Sequence, residues 1–204
     1  MIKKIVFTTT LSLYLLLPAA SRCLPVHQQS TKPSQVRLSW GEDPRTTVRV
    51  VWQTESETAT HTVQFGLTPK LGVTALGKRS SYKQETGFIH EVTLSGLKPG
   101  TVYYYRAGDP VGGFSTAHPF RTAPDRPENF VFTAFGDHGI NNSSKKNIQN
   151  IIRQKPAFHL LLGDISYANG EQPVWDTYLK NLEPLSSIIP YMPTLGNHEN
   201  EKLK

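Results

Sequence analysis

Three short hydrophobic runs in the final third of the chain each end in glycine followed by an oxygen-bearing side chain. Phe130–Phe135 runs into Gly136-Asp137, Phe158–Leu162 into Gly163-Asp164, and Tyr191–Leu195 into Gly196-Asn197. A near-continuous apolar run bounded by turn residues is the pattern of a parallel strand buried on both faces. Open α/β sheets gather their ligands at the carboxyl ends of such strands. Two carboxylates and one carboxamide are therefore expected at one sheet edge, each beside a glycine that lets the backbone turn sharply. Their expected common target is a metal ion.

The segments between these runs carry helical spacing. A first helix is predicted from an N-cap at Ser143 or Ser144 to Gln154, with Ile148, Ile151 and Ile152 on its apolar face and Pro156 barring continuation. A second is predicted from about Pro173, with Trp175, Tyr178, Leu179 and Leu182 at helical spacing. The sum is βαβαβ over residues 128–204, the first half of an α/β sandwich.

Upstream the period is two. Val36, Leu38 and Trp40 alternate with polar residues, as do Val48, Val50 and Trp52, and Val63/Phe65, Phe88–Leu94 and Tyr103/Tyr105 continue the pattern. Asp43-Pro44, Pro69 and Lys98-Pro99-Gly100 supply turns, so residues 34–123 are predicted to form an antiparallel β-sandwich with the tryptophans and Tyr103 in its core. Leu94 to Tyr103 resembles the segment of fibronectin type III domains where a tyrosine corner pins the turn. Pro124 and Pro127 mark the boundary, and the expected class is α+β with two domains.

Lys3-Lys4, the apolar stretch Ile5 to Leu17 and Pro18-Ala19-Ala20-Ser21 read as a secretory signal over residues 1–23, with an uncleaved tail as the alternative. The apolar stretch is too short for a comfortable membrane span, so none is expected once the signal is removed. Cys23 is the chain's one cysteine, so no internal disulfide is possible. A formal charge of +6, falling to about +4 without Lys3 and Lys4, suits anionic substrates but is no nucleic-acid signature.

The glycine-bounded blocks carry the chemistry as a set. Gly163-Asp164-Ile165-Ser166-Tyr167 puts a carboxylate and a phenol on one loop, and Gly196-Asn197-His198-Glu199 places a carboxamide beside an imidazole. With Gly136-Asp137-His138-Gly139, they resemble the first three signature blocks of the purple acid phosphatases, dinuclear metallophosphoesterases whose larger forms carry a fibronectin-like amino-terminal domain. Tyr167 singles out the purple branch. The resemblance implies that Asp137 and Tyr167 bind Fe(III), that Asp164 bridges both metals and that Asn197 binds a divalent Fe, Zn or Mn. It implies that His198 contacts the phosphate or aids the leaving group. Hard oxygen donors suit Fe(III), and two metals about 3.5 Å apart can clamp a phosphate ester and activate water.

The implied activity is hydrolysis of phosphate monoesters by a secreted (extracellular or lysosomal) acid phosphatase, possible as a homodimer in full-length form. His138 stands where the family more often has an apolar residue, and either touches substrate or is solvated or packed in its loop. The sequons Asn141-Asn142-Ser143 and Asn142-Ser143-Ser144 follow that loop. No Val-x-x-His or Gly-His-x-His block, the family's source of histidine ligands, occurs before Lys204. His159 is expected to be buried in its strand. An amino-terminal portion inactive alone, with an exposed edge strand, is the resulting expectation. The alternatives are a related dimetal phosphodiesterase or nucleotidase, and a non-catalytic secreted binding module.

Overall fold

The computed structural model describes residues 30–81 and 87–199. The signal segment and Cys23 lie outside the described residues. Strands β1 (Ser34–Ser39), β2 (Val48–Thr54), β3 (Thr62–Gly66), β4 (Val73–Leu76), β5 (Lys78–Ser81), β6 (Phe88–Leu94), β7 (Val102–Asp109), β8 (Gly113–Phe114) and β9 (His118–Arg121) come first. Among the described residues they form two antiparallel sheets, one ordered β1-β2-β6-β5 and one ordered β4-β3-β7-β8 with β9 also on β7.

The period-two pattern fixes which residues face inward. Leu38, Val50 and Val92 lie opposite one another across β1, β2 and β6, and all three are fully buried. Trp52, Val63, Phe65, Tyr103, Tyr105 and Phe120 complete the same core, closing a β-sandwich. The tyrosine corner is present: the Lys98 backbone N–H donates to the Tyr103 hydroxyl at 2.9 Å, pinning the turn before β7.

Beyond the prolines come β10 (Thr133–Phe135), α1 (Asn142–Gln154), β11 (His159–Leu162), α2 (Gln172–Ser186) and β12 (Tyr191–Thr194). The last sheet is parallel in the order β10-β11-β12. Helix α1 starts two or three residues earlier than its serines suggest. Asn141 is the N-cap, its side chain accepting from the Ser144 N–H at 3.0 Å, and Lys155 ends the helix in a left-handed conformation one residue before Pro156.

Burial on both faces does not hold for these strands. Leu161 is fully buried while Leu162 is 56% exposed, because the helices cover one face of the sheet. Phe135, Leu161 and Tyr191 pack there against Ile148, Ile151, Tyr178, Leu182 and Leu185. The first strand is also shorter than its apolar run. Phe130, Val131 and Phe132 are exposed, with Phe130 and Phe132 resting on the Phe158 ring, because ladder pairing begins only at Thr133 opposite His159.

The two units are tied by polar bonds as well as by packing. The Gln35 N–H donates to Glu183 Oε2 at 2.8 Å, Ser186 Oγ to the Val36 carbonyl at 3.0 Å, and the buried Tyr105 hydroxyl to the Ser187 carbonyl at 2.7 Å. The sandwich thereby braces helix α2, which underlies the loop after β10.

Candidate metal centre

Parallel pairing continues past the strands as loop-to-loop bonds. Asp137 N–H donates to the Gly163 carbonyl at 3.3 Å, His138 N–H to Asp164 O at 3.2 Å, and Gly139 N–H to Ile165 O at 2.8 Å. The loop after β12 closes on the same side as a 3-10 turn, Asn197–Glu199. Its approach is tight enough to demand glycine twice: a Cβ on Gly163 would sit 2.8 Å from Gly196 Cα, and one on Gly196 would strike Asp164 Oδ1 and its amide.

Left-handed backbone concentrates in these loops. Asp137 (φ 56°), Asp164 (φ 49°), Tyr167 (φ 56°) and Asn169 (φ 51°) all adopt it. The conformation costs a non-glycine residue roughly 1–2 kcal/mol, and such strain clusters where a precise side-chain direction is required. Asp and Asn tolerate it through local hydrogen bonding, whereas a tyrosine gains no such relief.

Tyr167 and Asp137 meet directly. The Tyr167 hydroxyl donates to Asp137 Oδ1 at 2.5 Å. That hydrogen bond, with lesser contributions from desolvation and the charges of Asp137, Asp164 and Glu199, pushes the phenol pKa up to about 12. Surrounded by carboxylates alone, the phenol keeps its proton; a cation at the same place reverses the sign.

Asp164 Oδ1 accepts the His198 N–H at 3.2 Å, and the Tyr167 and His198 rings lie 4.6 Å apart. His198 Nδ1 is 2.9 Å from Asn169 Oδ1. A carboxamide oxygen can only accept, so Nδ1–H is the donor in this pair. Asn197 is exposed at the start of the same turn. The structure thus joins Asp137 to Tyr167 directly, and Asp164 to His198 through a backbone donor.

His138 belongs elsewhere. It is 4% exposed, its Nε2–H directed at the Ser144 carbonyl (3.1 Å) and its Nδ1 accepting from the Tyr178 hydroxyl (3.1 Å). Burial lowers its pKa, and it pins the loop onto α1 and α2. His159 is fully buried beside Thr133, its pKa lowered to about 4 chiefly by burial.

No cluster of three His, Cys, Asp or Glu side chains poised for a metal exists among the described residues. The candidate donors are instead the oxygens of Asp137, Asp164, Tyr167 and Asn197, of which the structure joins Asp137 and Tyr167 side chain to side chain. An anionic, oxygen-only set of this kind fits a hard trivalent ion, with the amide suited to a divalent neighbour.

The family model described as Purple acid Phosphatase, N-terminal domain, matches residues 33–122, and that described as Calcineurin-like phosphoesterase matches residues 130–204. The chain belongs to the purple acid phosphatases. It is 37% identical over 178 residues to probable purple acid phosphatase 20 of Arabidopsis thaliana, covering 85% of this chain and 40% of that protein. Purple acid phosphatase 18 of the same plant is 34% identical over 180 residues, covering 86% of this chain and 40% of the relative. A solved purple acid phosphatase from yellow lupin (Lupinus luteus) seeds is 25% identical with a TM-score of 0.72, covering 83% of this chain and 36% of that one. The chain therefore spans about two-fifths of the length of these curated relatives.

Two residues of this purple acid phosphatase chain act at the site without having been singled out by sequence. Glu199 closes the third block, and its carboxylate accepts three backbone N–H groups from two loops. Asn169 orients His198; its signal was the Asn169-Gly170 pair, where both residues take positive φ in a tight turn.

Proposed function

We propose that this chain contributes the oxygen-ligand side of a dinuclear centre that hydrolyses phosphate monoesters. Asp137 and Tyr167 would hold Fe(III), Asn197 would hold a divalent Fe, Zn or Mn, and Asp164 would be shared between the two. The supporting observation is the 2.5 Å contact between Tyr167 and Asp137, made from two different strand-end loops with both residues in left-handed backbone. When bound, the metals supply Lewis acidity toward a phosphoryl oxygen and activate water.

The chain's own groups do the positioning. Asp164 sits between the Asp137 loop and the Asn197 turn, bonded to both through backbone atoms. His198, with Nδ1–H given to Asn169, is held to contact the phosphate or to aid departure of the leaving group. Residues 34–123 form the bracing module and 128–204 the catalytic one. The protein is secreted, to the extracellular space or lysosome, with no nucleic-acid partner and a homodimer as the full-length assembly. Among the described residues no helix is long and apolar enough to cross a membrane.

The test is reconstitution with Fe(III). A visible tyrosinate-to-iron absorption band is expected in the native chain and absent from Tyr167→Phe. A band that survives the substitution, or its absence from the native chain, refutes the ligand assignment. A colourless Zn or Mn protein preferring diesters or nucleotides would point to the phosphodiesterase or nucleotidase reading.

A further inference from the structure

The Glu199 carboxylate is the most heavily used acceptor in the loop cluster. Oε2 takes the Asp164 N–H at 2.9 Å and the Gly196 N–H at 2.8 Å, while Oε1 takes the Ile165 N–H at 2.8 Å. Those amides belong to Asp164 itself, to its successor, and to the glycine immediately before Asn197. The exchange is reciprocal, since the Asp164 carboxylate accepts the His198 N–H from the turn that carries Glu199. Each loop hands a backbone donor to the other's carboxylate, the logic of a capping box carried between two loops.

We propose that Glu199 is a positioning residue: its carboxylate staples the loop after β11 to the turn after β12 and so sets the spacing of Asp164 and Asn197. The proposal rests on the assignment of those two residues as metal ligands. Chain length and charge both matter. Aspartate is shorter by one methylene and cannot span from the turn to Ile165. Glutamine keeps the length but replaces one oxygen with an NH₂ group, which faces a backbone donor wherever it is placed. The staple also holds Asp164 in its left-handed conformation and keeps Gly163 and Gly196 in close contact.

The experiment compares the native 204-residue chain with Glu199→Gln and Glu199→Asp. Amide hydrogen exchange is measured first, without metal. Protection at Asp164, Ile165 and Gly196 is expected to fall about tenfold or more in both variants, as charge-assisted bonds are lost. Val50 and Val92 in the sandwich should keep theirs. Unchanged protection at the three loop amides in either correctly folded variant overturns the staple. Mn(II) is then titrated, with free ion read from its paramagnetic resonance signal. Affinity is expected to fall about 10- to 100-fold, the usual effect of losing a group that orients a ligand. Equal Mn(II) affinity in native and variant chains overturns the positioning role even if exchange has changed. No Mn(II) uptake by the native chain sinks the metal centre, and the positioning role with it, while the metal-free exchange result still decides whether the staple exists.

Discussion

Tyr105→Phe tests whether the sandwich and the α/β unit are one mechanical body. The hydroxyl of Tyr105 is fully buried and donates at 2.7 Å to the carbonyl of Ser187, the residue that caps α2. Phenylalanine fills the same volume, so the substitution deletes one hydrogen bond and leaves a buried carbonyl without that donor. The cost is roughly 1–3 kcal/mol. For a folded unit of this size, about 2–4 °C of melting temperature is lost per kcal/mol, so a fall of about 2–12 °C is expected. The assay follows helical ellipticity, which reports α1 and α2, together with exchange at Val50 and Val92, which reports the sandwich. Both should weaken together, because the Gln35–Glu183 and Ser186–Val36 bonds cross the same joint. The consequence reaches the loops through α2, whose Tyr178 hydroxyl bonds His138 beside Asp137. A helical transition that moves while the sandwich is unchanged, or no movement in either, refutes the coupling.

Acid should destabilise this fold through its buried histidines. Burial holds His90, further depressed by His61 and Arg79, at about 4, and burial likewise holds His159 at about 4. With folded values below the ordinary 6.5, their contribution is complete above about pH 6.5 and is lost as pH falls toward about 4. The urea midpoint should drop across that window, and a flat profile would contradict the burial argument. Gly196→Ala should drive a methyl into Asp164 and abolish Mn(II) uptake while the sandwich amides keep their protection; native-like binding would show that the close approach is unnecessary.

Much of the site was legible because its grammar is local. A strand, a glycine and an Asp or Asn is a pattern a short window can hold, and it singled out Asp137, Asp164, Asn197 and His198 as candidates. The alternation around Val50 and the Tyr103 corner were visible for the same reason. Local reading failed where neighbours along the chain are not neighbours in space. Phe130–Phe132 has the composition of a buried strand but begins before its partner strand does, so it stays exposed. The Ser143/Ser144 cap was displaced because Asn141 reaches Ser144 with its own side chain.

What the sequence by itself determined is the order of elements and the chemical types at each strand end, since periodicity and turn chemistry act over a few residues. Only the tertiary structure decided that His138 is sealed under Tyr178, that Glu199 gathers three amides from two loops, and that β1 braces α2. Those outcomes depend on partners such as Gln35 and Glu183, 148 residues apart. Such pairs meet only after the hydrophobic faces have packed.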